Sequence, residues 1–165
     1  MNVTYLTRRQ LSILGSLICL AVLCVAYFLE TYRGVQPCPL CLLQRLAFLI
    51  MGIVFLLNAF DPHNNALSLF YAFTNAVVGL FGAGVAVRQI WLQHLPKGEV
   101  PLCGASFERM FQLYPTLDAF KKILQNSGDC AAITYQIMGL GLAEWSLVMF
   151  AFLFILCIYC RCARN

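Results

Sequence analysis

LSILGSLICLAVLCVAYFL, the stretch from Leu11 to Leu29, runs for nineteen residues without a charge. As a helix it is about 28 Å long, enough to cross the hydrocarbon core of a bilayer once. Three further apolar runs follow. Leu42 to Phe60 carries one charge, Arg45, near its start; Leu67 to Leu95 has Arg88 and His94 towards its end; Trp145 to Cys160 is extended upstream by Met138 to Ala143. The composition points the same way. Of the 165 residues, 61% are hydrophobic and 11% charged, against roughly 45–50% and 25% in soluble domains. A soluble globule of this size cannot hide that much apolar surface. Disorder, a collagen-like fibre and a small secreted disulfide scaffold are excluded on the same grounds. The net charge of +4 comes from eleven scattered Lys and Arg residues, with no basic stripe to follow a phosphate backbone, so no nucleic-acid partner is expected. The expected fold is an all-α membrane protein, a four-transmembrane-helix bundle.

The chain divides as one integral membrane domain over 1–165. It has a tail (1–10), a first span (11–29), a short loop (30–41), a second span (42–60), a turn (61–66), a third span (67–95), a long loop (96–143), a fourth span (144–160) and a tail (161–165). Arg8 and Arg9 before the first span resemble a signal-peptide n-region, but nineteen apolar residues exceed the usual h-region of about 7–15. No small-x-small cleavage site follows, so a retained span is expected. Four spans put both termini on one side, and the basic tails, with Arg8, Arg9, Arg161 and Arg164, place that side in the cytoplasm. In the long loop Phe107, Met110, Phe111, Tyr114, Leu117 and Phe120 recur at near-helical spacing, broken at Pro115. Short amphipathic helices on the membrane surface are expected there.

This topology sorts the nine cysteines. Cys19 and Cys24 sit within the first span, and Cys157, Cys160 and Cys162 at the cytoplasmic end of the fourth; these read as small apolar packing residues. Cys38, Cys41, Cys103 and Cys130 all fall on the non-cytoplasmic face, where two disulfides are possible in an oxidising compartment. Cys38-Pro39-Leu40-Cys41 opens the second span. Proline suits a first helical turn, which makes Cys38 the expected N-cap, and thiolates there are stabilised by orphan N–H groups and the helix dipole. Arg45 follows Cys41 by four residues, on the same face. A lone arginine one turn inside a span is costly unless it snorkels to the headgroups, and otherwise marks a functional site. It would stabilise a thiolate, or an anion formed on a bound small molecule.

Cys103 and Cys130 have 26 residues between them. A bridge there would be a staple contributing about 3–4 kcal/mol by the chain-entropy estimate, or, beside Gly104 and Ser127-Gly128-Asp129, an exposed and exchangeable one. Zinc is disfavoured because only one Cys pair is closely spaced, so no metal is expected. His94 lies at the same depth as the Cys-x-x-Cys and is a candidate hydrogen-bond donor to a ligand headgroup. Trp91 and Trp145 fit an aromatic belt.

These pieces together resemble the bacterial disulfide bond formation protein B family. The matching residues are Pro37-Cys38-Pro39-Leu40-Cys41 with Arg45, Trp91-Leu92-Gln93-His94, Pro101-Leu102-Cys103-Gly104, Ser127-Gly128-Asp129-Cys130-Ala131 and Gly139-Leu140-Gly141-Leu142-Ala143-Glu144-Trp145. The resemblance implies a quinone-dependent thiol oxidase of the inner membrane, with its active cysteines in the periplasm. Cys103 would form a mixed disulfide with a soluble thioredoxin-fold dithiol oxidase. Cys130 would then exchange with Cys38, freeing Cys41 to pass electrons to ubiquinone or menaquinone, with Arg45 and His94 beside the quinone. Its partners would be that oxidase, the lipids and the quinone pool, and the chain itself a monomer. Two rivals are a vitamin K epoxide reductase-like enzyme and a tetraspan scaffold with purely structural loop disulfides.

Overall fold

The computed structural model describes residues 7–33, 38–60, 65–94, 136–137 and 139–162. Four long helices dominate it: α1 (Arg8–Arg33), α2 (Pro39–Phe60), α3 (Asn65–Gln93) and α4 (Leu142–Cys162). All four are long and apolar enough to cross a membrane, with mean hydropathies of 2.5, 2.4, 1.6 and 2.1 over their most apolar windows. Just before α4, β1 (Gln136–Ile137) pairs antiparallel with β2 (Leu140–Gly141). The tight reversal between these strands uses Gly139 at φ 83°, a left-handed conformation that glycine adopts without a Cβ clash.

The helix starts are written locally. Gln10 reaches back to accept the Thr7 N–H at 3.0 Å, and Glu144 accepts the Gly141 N–H at 2.7 Å. Both are third-position residues closing the reciprocal half of a capping box. The helices run past the spans expected from apolarity alone. α1 continues to Arg33 rather than stopping at Leu29, α2 begins at Pro39 rather than Leu42, and α4 covers Leu142–Cys162 rather than 144–160. Apolar runs mark the hydrocarbon layer, whereas backbone hydrogen bonding carries a helix on through its polar ends. In consequence Glu30, expected in a loop, lies on α1, and Cys41 lies in the first turn of α2. The amphipathic helices expected over 96–143 fall outside the described residues apart from the short β1–β2 hairpin.

α1 packs on α2, α2 on α3 and α3 on α4, while α1 and α4 meet more lightly and close the ring. Between helices in lipid the driving force is close packing rather than exclusion of water. The centre of the bundle shows it: Phe48 and Phe150 stack with centroids 4.1 Å apart and planes at 8°. Gly82 makes room for that stack, since a Cβ there would sit 2.3 Å from Phe150 Cζ. Phe55, Met51 and Leu153 complete the core. Outward-facing positions such as Leu17, Phe28, Leu69, Phe73, Leu80 and Ile155 are exposed, as lipid-facing surfaces of membrane helices are. The Arg88 guanidinium lies 5.9 Å from the centre of the Trp91 ring, one helical turn along α3, and finds a cation–π partner there.

Candidate functional site

The N-terminus of α2 is built around Cys38. Its carbonyl accepts the Leu42 N–H at 3.1 Å, and its sulfur accepts the Cys41 N–H at 3.3 Å. This is the N-cap role usually filled by a serine or aspartate oxygen, with Pro39 at the first helical position, where no N–H is needed. The cap brings the Cys38 and Cys41 sulfurs to 2.7 Å from each other. The Cys38 N-cap expected from the sequence is therefore present.

One turn deeper, α2 presents two polar side chains beside Cys41, and each is gripped by a different helix. Arg45 Nη1 donates to Glu30 Oε2 on α1 at 2.5 Å, and Nη2 donates to the Ala26 carbonyl at 3.3 Å. Both partners of that ion pair are partly exposed, with side chains 26% and 34% accessible. Gln44 Nε2 donates to Gln89 Oε1 on α3 at 2.8 Å. Gln89 Nε2 in turn donates towards both sulfurs, at 3.2 Å to Cys41 and 3.6 Å to Cys38. Gln44 and Gln89 are each only 4% exposed.

A cavity of about 60 Å³ opens between α1, α2 and α4. Its walls are Val22, Leu23, Ala26, Phe48, Leu142 and Ala143, with Cys41, Gln44, Arg45 and Ser146 as the groups bearing polar atoms or sulfur. Among the described residues no cluster of His, Cys, Asp or Glu is arranged to hold a metal ion.

Of the residues singled out in the sequence, Cys38, Cys41 and Arg45 come together here. His94 ends α3 exposed, its Nδ1 turned onto the Ile90 carbonyl at 2.8 Å. Cys103 and Cys130 lie outside the described residues. Sequence reasoning missed Glu30, Gln44 and Gln89. Gln44 follows Cys41 by three residues and so shares its helical face, which was a readable signal. Glu30 and Gln89 come from other helices, and no local spacing points to them.

The chain's likenesses agree with this arrangement. Residues 8–160 match the family described as Disulfide bond formation protein DsbB. Curated relatives named Disulfide bond formation protein B include one from Acinetobacter baumannii, 38% identical over 96% of this chain and 92% of its own length. Another, from Marinobacter nauticus, is 36% identical over 96% and 95%, and one from Hahella chejuensis is 37% identical over 88% of each chain. No solved structure matches the chain.

Proposed function

The chain belongs to the disulfide bond formation protein DsbB family, and from that premise we propose that it is a thiol:quinone oxidoreductase of the bacterial inner membrane. It would reoxidise a periplasmic thioredoxin-fold dithiol oxidase and so support disulfide formation in exported proteins. The observation that carries this reading is the Cys38–Cys41 pair at a helix N-terminus, opening on an apolar cavity that also holds Arg45.

The residues of the chain divide the work. A thiolate of the reduced partner attacks a Cys103–Cys130 disulfide at Cys103. A mixed disulfide forms, and Cys130 leaves with the electron pair. The partner's second thiol then resolves the mixed disulfide and departs oxidised, leaving Cys103 and Cys130 reduced. Cys130 attacks Cys38; the Cys130–Cys38 bond forms, the Cys38–Cys41 bond breaks, and Cys41 carries the negative charge. Attack by Cys103 on Cys130 restores the loop disulfide and leaves Cys38 and Cys41 as a dithiol. A membrane quinone, ubiquinone or menaquinone, supplies a two-electron, two-proton acceptor. Arg45, oriented by Glu30, presents a cation at the cavity wall. The apolar walls keep water from the sulfur. His94, exposed after α3 and bonded to the Ile90 carbonyl, lines none of the cavity's walls, so its place beside the quinone rests on the family resemblance. In this orientation both termini are cytoplasmic, the cysteine end faces the periplasm, and the working unit is the monomer.

Quinone absorbance, followed on mixing the purified protein with a reduced thioredoxin-fold dithiol, tests the reading. Wild type is expected to turn over, and Cys41→Ser and Cys103→Ser are each expected to stop. A wild-type protein with intact disulfides that leaves the quinone oxidised would reduce the chain to a structural tetraspan.

A further inference from the structure

Two glutamines buried in an apolar bundle need a reason, because leucine would fill the same space without leaving amides to be satisfied. Gln44 and Gln89 satisfy each other in one direction only. Gln44 donates to the Gln89 oxygen at 2.8 Å, which leaves the Gln89 NH₂ facing the sulfurs, nearer to Cys41 at 3.2 Å than to Cys38 at 3.6 Å. Turning the Gln89 amide over would set NH₂ against NH₂ on one side and oxygen against sulfur on the other. With Gln44 donating to its oxygen, Gln89 presents its NH₂ end to the cysteines.

The other groups around Cys41 are already engaged. The Cys41 N–H is spent on Cys38 Sγ, Arg45 is shared between Glu30 and the Ala26 carbonyl, and Glu144 on α4 accepts the Gly141 N–H. The neighbouring charged groups of α3 are Arg88, stacked on Trp91, and His94, bonded to its own helix. Besides the Cys38 sulfur, 2.7 Å away, Gln89 is the described side chain that donates to the Cys41 sulfur.

We propose that Gln89 is a catalytic hydrogen-bond donor that stabilises the Cys41 thiolate, and that Gln44 is the positioning residue that aims it. This deepens the oxidase reading and rests on it for the step concerned. When a thiolate attacks Cys38, the Cys38–Cys41 bond breaks and the electron pair departs on Cys41. A donor waiting at that sulfur stabilises the charge as it forms and speeds departure of the leaving group. The pair of electrons moves from the attacking sulfur into the new bond, and the charge moves to Cys41 with no net oxidation.

The test uses the full-length protein in detergent with Cys38→Ser, so that Cys41 stays reduced and serine keeps the cap. Iodoacetamide alkylation of Cys41 is followed against pH by peptide mass spectrometry. Gln89→Met is expected to move the half-maximal pH upward by about one unit, the scale of a hydrogen bond to a charged group. Gln44→Met should move it less and in the same direction, and the double variant no further than Gln89→Met alone. Gln89→Leu, which likewise removes the donor without adding a charge, should move it as far, and it is read in place of Gln89→Met if that variant loses helical circular dichroism. An unmoved midpoint in the folded Gln89 variants overturns the proposal. So does a double variant whose shift is the sum of the singles. Quinone reduction by wild type is measured separately. If it fails while the alkylation midpoint moves, the oxidase reading falls and the donor role of Gln89 stands; if wild type turns over and the midpoint stays, the donor role falls alone.

Discussion

At each end of the bundle a cysteine lies beside an amide side chain, half-buried at one end and buried at the other, and the two are built for opposite purposes. At the cavity, Cys41 has a second sulfur 2.7 Å away, stands in the first turn of a helix, and shares the cavity wall with Arg45. At the far end Cys160 is 3% exposed and sits in the last turn of α4. There its sulfur meets Ser12 Oγ at 3.2 Å and the Asn58 Nδ2 at 3.7 Å, and donates to the Arg8 carbonyl at 3.5 Å. Asn58 ties the group together, accepting from Arg8 Nη2 at 3.0 Å and donating to Ser12 at 2.9 Å. This cluster joins α1, α2 and α4, and the nearby Cys157 thiol is turned onto the Ala72 carbonyl on α3 at 3.7 Å. A neighbouring amide is thus common to both cysteines. Reactivity follows from the helix N-terminus, the paired sulfur and access for a ligand.

The sharpest way to break the comparison is to exchange the two thiols for hydroxyls. Cys41→Ser should abolish quinone reduction while leaving helical circular dichroism unchanged. Cys160→Ser should retain turnover within about twofold, because serine still exchanges hydrogen bonds with Ser12 and Asn58. Comparable losses in both would erase the distinction. Next in size is the ion pair at the cavity. Arg45→Met should raise the apparent KM for quinone by about tenfold, the scale of a lost charge-assisted contact. Glu30→Gln should raise it less, since the guanidinium stays but its anchor is gone. Steady-state quinone titrations read both, and a larger effect from Glu30→Gln would mean that the carboxylate, not the cation, serves the site.

The far end should answer in stability rather than rate. Asn58→Leu removes the hub and leaves the Arg8 guanidinium buried without that acceptor, at a cost of about 1–3 kcal/mol, seen in denaturation by sodium dodecyl sulfate. The folded fraction should reduce quinone at the wild-type rate. Between the ends, Gly82→Ala drives a methyl into Phe150 and should cost about 1–3 kcal/mol by overpacking. It should also disturb turnover modestly, because Phe150 stacks on Phe48, a cavity wall.

What the sequence disclosed follows the same division. Four apolar runs gave the four helices, and a Cys-Pro-x-Cys at the start of one gave the cap, because both are written in adjacent residues. Arg45 stood out because a charge inside an apolar run is conspicuous. Its carboxylate did not, because Glu30 lay beyond the apolar edge of the first run and looked like loop. Arg8 read as a tail charge, yet it is 4% exposed: the helix begins at Arg8 itself, and its first turn carries the side chain onto Asn58 from another span. Gln89 carries no charge and sits among apolar neighbours, so only the packing of α3 against α2 reveals what it touches. Contacts within a turn are legible in a sequence; contacts between helices await the bundle.

The central claim is that electrons leave the protein from Cys38 and Cys41 at the cavity beside Arg45. A single turnover tests it most directly. Full-length protein carrying Cys103→Ser and Cys130→Ser is reduced, freed of reductant, mixed with one equivalent of quinone, and its disulfides are mapped by peptide mass spectrometry. Loss of quinone absorbance matched by a Cys38–Cys41 disulfide is the predicted result. Quinone that stays oxidised, or that is consumed with a disulfide formed elsewhere, would contradict it.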